Sequence, residues 1–139
     1  MVTILSFSGR ANGNCSQIAR VIKDTVSFAN IYSFADFQIQ PCGRCEHECF
    51  QTREKCPYFS DMEYRLLDAI CNSDMVYFVL PNYCDYPCAN FFVFNERSQC
   101  YFQGREDLLE RYLNVPKKFI VISNSRSANF SEAFTQHTS

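Results

Sequence analysis

A chain of 139 residues, 47% of them hydrophobic, is long enough for one domain around one core. Its net charge of −2 excludes the basic surface that nucleic acid or an anionic membrane face requires, and no apolar run is long enough to span a bilayer. The start of the chain lacks a positive n-region, so the expectation is a cytoplasmic protein without a signal peptide, and the odd count of nine cysteines argues against a closed disulfide framework.

Residues 2–7 read as a buried strand. The small, polar stretch 8–16 follows, and a helix starts near Asn14, with Asn14 and Gln17 at capping-box spacing. Ile18, Ala19, Ile22 and Val26 mark its apolar face. Residues 29–34 form a second strand, which the alternating piece 37–40 extends. A cysteine-rich insertion occupies 41–57. Ser60 then caps a second helix with Glu63 as its box partner and Met62, Leu66, Ala69 and Ile70 as its buried stripe. Residues 75–80 are a continuous apolar run suited to a central parallel strand, which Pro81, Asn82 and Tyr83 end. Pro87 opens a third helix that runs to about Gln103. Residues 105–113 form a short amphipathic helix with Leu108, Leu109 and Tyr112 inward, and residues 119–123 supply a fourth strand. In the polar stretch 124–139, Phe130 and Phe134 are spaced for one helical face.

Strands alternating with helices predict an α/β domain with a parallel sheet. Right-handed crossovers then bring the loops after the first, third and fourth strands to one edge, where ligands bind beside the topological switch point. The loop at 8–16 joins a strand to a helix N-terminus, which suits a phosphate. Ser8, Asn12, Asn14 and Ser16 can add hydrogen bonds and Arg10 a charge. The same residues also suit an ordinary βα turn. Neither a Walker loop nor a G-x-G-x-x-G fingerprint is present.

The segment Ser8-Gly9-Arg10-Ala11-Asn12-Gly13-Asn14-Cys15-Ser16 resembles the S-x-R-x-x-G-N-[ST]-S loop of NADPH-dependent FMN reductase-like flavoproteins, a family that includes the iron–sulfur flavoproteins. The segment from Asp74 through Pro81-Asn82-Tyr83 is similar to the family's A-D-x-I-I-x-x-x-P-x-Y, and Phe91 to Arg97 is similar to its L-K-x-F-x-D-R helix. The resemblance implies a flavodoxin-like, doubly wound parallel sheet. It puts the FMN phosphate in the 8–16 loop, with Cys15 where the family has a hydroxyl. It puts Pro81 and Tyr83 against the flavin ring; Asn82 and backbone N–H groups can then reach the ring edge, NAD(P)H can serve as hydride donor, and the topology brings the Ser123 loop to the same edge of the sheet. Four strands can be counted, with the fifth missing or replaced, and a bare sheet edge favours a homodimer or cover by the tail.

Cys42, Cys45, Cys49 and Cys56 follow the spacing C-x2-C-x3-C-x6-C. Four such thiolates can hold an iron–sulfur cluster or zinc, with His47 an alternative ligand. They also read as redox-active thiols or as packing. The family's iron–sulfur members carry a compact four-cysteine motif here, one residue shorter in each of the last two gaps, which implies a [4Fe–4S] cluster. Cys15, Cys71, Cys84, Cys88 and Cys100 read as small buried hydrophobes. Two functions follow as expectations. One is an FMN-dependent oxidoreductase or electron-transfer flavoprotein with a small-molecule or protein redox partner. The other is a flavodoxin-like or zinc-stabilised binding module that has lost the flavin.

Overall fold

The computed structural model describes residues 1–43, 46, 48–83 and 86–123, without the side chain of Tyr83. Strand β1 is Val2–Ser6, helix α1 Asn14–Thr25 and strand β2 Ala29–Ser33. Single 3₁₀ turns at Glu48–Phe50 and Arg53–Lys55 follow within the cysteine segment. Helix α2 is Met62–Cys71, strand β3 Met75–Tyr83, the short strand β4 Tyr86–Pro87, helix α3 Ala89–Phe102, helix α4 Glu106–Asn114 and strand β5 Lys117–Ile122. Among the described residues no helix is long and apolar enough to cross a membrane.

β1 pairs in parallel with β2, Val2 opposite Ala29, and with β3, Val2 opposite Met75. β3 pairs in parallel with β5, Val76 opposite Lys117. The parallel order β2-β1-β3-β5 therefore switches direction between β1 and β3, which is the flavodoxin-like, doubly wound arrangement. β4 folds back antiparallel on the end of β3, Asn82 opposite Pro87.

Alternate strand residues enter two separate cores. Ile4 and Val79 meet Cys15 and Ala19 of α1 on one face, with Ile18 and Ile22 packed alongside. Leu5, Val76, Phe78 and Leu80 face the other side, where Leu66, Leu67 and Ile70 of α2 and Phe91 and Phe94 of α3 pack on them. The three aliphatic residues of α2 are wholly buried, and each contributes roughly 1.5–3 kcal/mol. Packing rather than propensity therefore holds a helix this short. Phe119 of β5 stacks on Phe78 with ring centroids 4.9 Å apart, yet is 40% exposed, since β5 is an edge among the described residues.

Several local expectations are corrected. No strand covers 37–40. Ser33 closes a turn there, its hydroxyl accepting from the Ala35 N–H at 3.2 Å and its carbonyl from Asp36 at 3.0 Å. Asp61, not Ser60, caps α2, its carboxylate accepting from the Glu63 N–H at 3.1 Å. Gly13, not Asn14, is the N-cap of α1. β3 continues to Tyr83 because β4 gives its last residues a partner, and Pro87 lies in β4 while Cys88 caps α3. Leu109 points outward, whereas Leu108 and Tyr112 pack on the core. β5 starts at Lys117, whose amine folds back onto the carbonyls of Tyr112 and Val115 at the end of α4. Phe130 and Phe134 lie outside the described residues.

Candidate functional site

The 8–16 loop leaves β1 beside the switch point. Phe7 extends the pairing, its N–H donating to the Val79 carbonyl at 3.0 Å. The Phe7 carbonyl accepts from the Asn90 side chain of α3 at 2.9 Å, which fixes where the loop begins. The Ser8 hydroxyl is buried and accepts from the Arg10 N–H at 3.2 Å. The Ser16 hydroxyl donates to the Arg10 carbonyl at 3.1 Å. From α1, Arg20 donates to the Ala11 carbonyl at 3.4 Å and to Asn12 Oδ1 at 3.3 Å. A Cβ at Gly13 would meet the Arg10 Cβ at 3.3 Å, so this close approach favours glycine. Asn90 and Arg20 were not legible as loop clamps, because each acts from a different element.

α1 begins with no side-chain cap and no acidic residue in its first turn. The leading N–H groups of Asn14, Cys15 and Ser16 are thus left for an outside acceptor. Asn14 and Arg10 are exposed at the rim, and Asn12 is held by Arg20. Cys15 points elsewhere. It is 3% exposed, packed with Ile4, Ala19 and Val79, and burial, with Cys88 adding, pushes its thiol up to about 11. Cys15→Thr is therefore expected to lower stability by about 1–3 kcal/mol, as a hydroxyl replaces a thiol in an apolar layer. The denaturant midpoint of the variant checks this.

Pro81 is buried opposite Ile122, and Asn82 Nδ2 donates to Ser123 Oγ at 2.6 Å. The carboxyl ends of β3 and β5 are so tied together next to that of β1. The Tyr83 backbone closes β3 opposite Tyr86. Beside the loop, Ser6, Ser16, Arg20, Ser33 and Asp36 line a cavity of about 230 Å³, and the buried Ser6 hydroxyl has no partner among the described residues.

The cysteine segment lies on the other face. Cys49 and Cys56 are buried in the larger core and Cys42 is half-buried, while Cys45 and His47 lie outside the described residues. Among the described residues no three His, Cys, Asp or Glu side chains converge as a metal-holding group. Cys100 of α3, buried as a small hydrophobe would be, sits among these thiols, its Sγ 3.9 Å from that of Cys42. Burial raises the Cys100 thiol well above its usual range, and Cys49, Cys42 and Cys56 beside it add to the rise.

Arg97 is what docks the segment. Its side chain is wholly buried and Nη1 reaches Asp61 at 2.6 Å and the Gln40 carbonyl at 2.9 Å. Nη2 reaches the Tyr58 carbonyl and the second Asp61 oxygen, both at 3.3 Å, and lies 3.9 Å from Cys56 Sγ. The guanidinium also stands over the Tyr58 ring at 5.4 Å. Burial works against its charge, but the Asp61 carboxylate outweighs that and keeps it cationic. Arg53 adds a second anchor, 4.8 Å over the Tyr101 ring, with its carbonyl accepting from the Tyr64 hydroxyl at 2.9 Å. A comparison with protein-family models finds no match to this chain, and a comparison with curated proteins finds none either.

Proposed function

We propose that the chain is an FMN-dependent oxidoreductase or electron-transfer flavoprotein, using NAD(P)H or a protein partner as reductant. The observation that supports this reading is the uncapped, acid-free N-terminus of α1 at the switch point, facing the joined ends of β3 and β5. FMN, when bound, would supply hydride and one-electron chemistry. The N–H groups of 14–16 and the Ser8 hydroxyl would hold the phosphate, with Arg10 and Asn14 at its rim. Pro81, Asn82 and Tyr83 would border the ring, with Asn82 held in place by Ser123. The donor set fits a dianion: no carboxylate stands in the first turn of α1 to oppose it. The flavin reading does not require a metal at Cys42, Cys45, Cys49 and Cys56, of which Cys45 lies outside the described residues.

The visible spectrum of anaerobically purified protein tests this first. Flavin bands are expected. Ser8→Ala combined with Asn14→Ala should weaken FMN binding by roughly 10- to 100-fold, the loss of one or two charge-assisted hydrogen bonds. Unchanged flavin content in that variant would overturn the phosphate placement. A native protein that neither holds nor takes up FMN would instead be the flavin-free binding module.

A further inference from the structure

Cys42 and Cys100 lie 58 residues apart in sequence, on the cysteine segment and on α3, and their sulfurs stand 3.9 Å from each other. Their exposures differ. Cys42 is half-buried and lines an open cleft of about 590 Å³ together with Gln40, Pro41, Gly43 and Tyr58. Cys100 is 3% exposed behind it. Gln99 Nε2 donates to Cys42 Sγ at 3.6 Å and steadies the outer sulfur. One turn before Cys100, Arg97 grips the Gln40 and Tyr58 carbonyls, which brackets Cys42 and holds it against α3. An accessible thiol backed by a buried one is the arrangement of a reacting cysteine and its resolving partner.

We propose that Cys42 and Cys100 form a hydroperoxide-responsive dithiol, in which Cys42 meets the oxidant in the cleft and Cys100 resolves it. The Cys42 thiol gives up its proton as its sulfur attacks the outer oxygen of the peroxide. The O–O bond breaks, an S–O bond forms, and water or an alcohol leaves with the thiol proton. The Cys100 sulfur then attacks the Cys42 sulfur, expelling the sulfenic hydroxyl as water with the Cys100 proton. One S–S bond results, and the two electrons lost by the thiols reduce the peroxide. The bond ties the cysteine segment covalently to α3. This pair stands on its own geometry and does not depend on flavin.

The test treats reduced, full-length protein with hydrogen peroxide, counts free thiols, and maps cross-linked peptides by mass spectrometry. The wild type should lose two thiols, yield the Cys42–Cys100 peptide as the main product, and recover both thiols with dithiothreitol. Cys100→Ser should abolish the cross-link and leave a sulfenic acid at Cys42 that dimedone traps, while Cys71→Ser should keep the cross-link. A main cross-link joining Cys42 to any other cysteine would overturn the proposal. So would peroxide oxidation of Cys100 that persists in Cys42→Ser. Stoichiometric zinc or iron in the native protein, shielding both thiols and lost in Cys100→Ser, would also overturn it, because the pair would then be metal ligands.

Discussion

Arg97→Ala is expected to destabilise the protein by about 3–5 kcal/mol, the range for removing one partner of a buried ion pair. The reason is the number of groups that meet on one guanidinium. Asp61 takes two hydrogen bonds from it, and the carbonyls of Gln40 and Tyr58 take one each. Those carbonyls flank the cysteine segment on both sides. Without Arg97 they turn to a cavity, and Asp61, only 14% exposed at its side chain, loses its counter-ion. Arg97→Lys should recover only part of the loss, since an ammonium cannot reproduce the fork that spans Asp61 and two carbonyls. Hydrogen exchange adds a local readout. Amides of 40–58 should lose protection first in Arg97→Lys, while those of β1 and β3 stay protected. Uniform loss across the chain, or a variant as stable as the wild type, would refute the anchoring role.

The sheet was largely legible because its strands are short apolar runs bounded by turn residues, and the alternation with helices leaves few topologies. The loop at 8–16 was legible for the same reason, as the end of a strand next to a switch point, whereas 81–83 was read as a loop and is the end of β3, because its pairing with β4 is not visible in local composition. The cysteine segment was not. Its composition reads as polar and unsupported, yet it is held by Arg97 and Arg53, whose partners sit on distant elements. A lone arginine inside the aromatic run 91–102 was a usable signal, since an arginine among buried Phe and Tyr residues needs a paired carboxylate. The caps misled for a related reason. Ser60 and Asp61 both suit an N-cap by residue type, but only Asp61 also answers Arg97, and a tertiary ion pair outranks a local preference. Cys15 is the small buried hydrophobe that its residue type suggests, on the side of the first helical turn that meets the sheet.

Glu63→Gln is expected to raise stability at pH 7 by roughly 1–3 kcal/mol, an unusual sign for a core substitution. Glu63 stands in the first turn of α2, where an acid normally favours the helix dipole. It is nevertheless wholly buried, and neither carboxylate oxygen has a hydrogen-bond partner among the described residues. Burial pushes its carboxyl well above the usual glutamate range; Arg97 opposes this and Asp61 reinforces it. In the unfolded chain the group releases its proton near its ordinary value of 4.5, whereas in the folded state it keeps the proton to higher pH. The folded state therefore binds more protons above pH 4.5, and stability falls as pH rises from there toward the folded-state value. Glutamine keeps the shape and removes the titration. Melting curves of the two proteins across pH 4–8 should nearly coincide at the acid end and diverge as pH rises, with the variant melting several degrees higher at pH 7. Parallel curves, or a variant less stable at pH 7 than at pH 4 by the same margin as the wild type, would mean that Glu63 is already ionised in the fold and paired through the nearby Arg97.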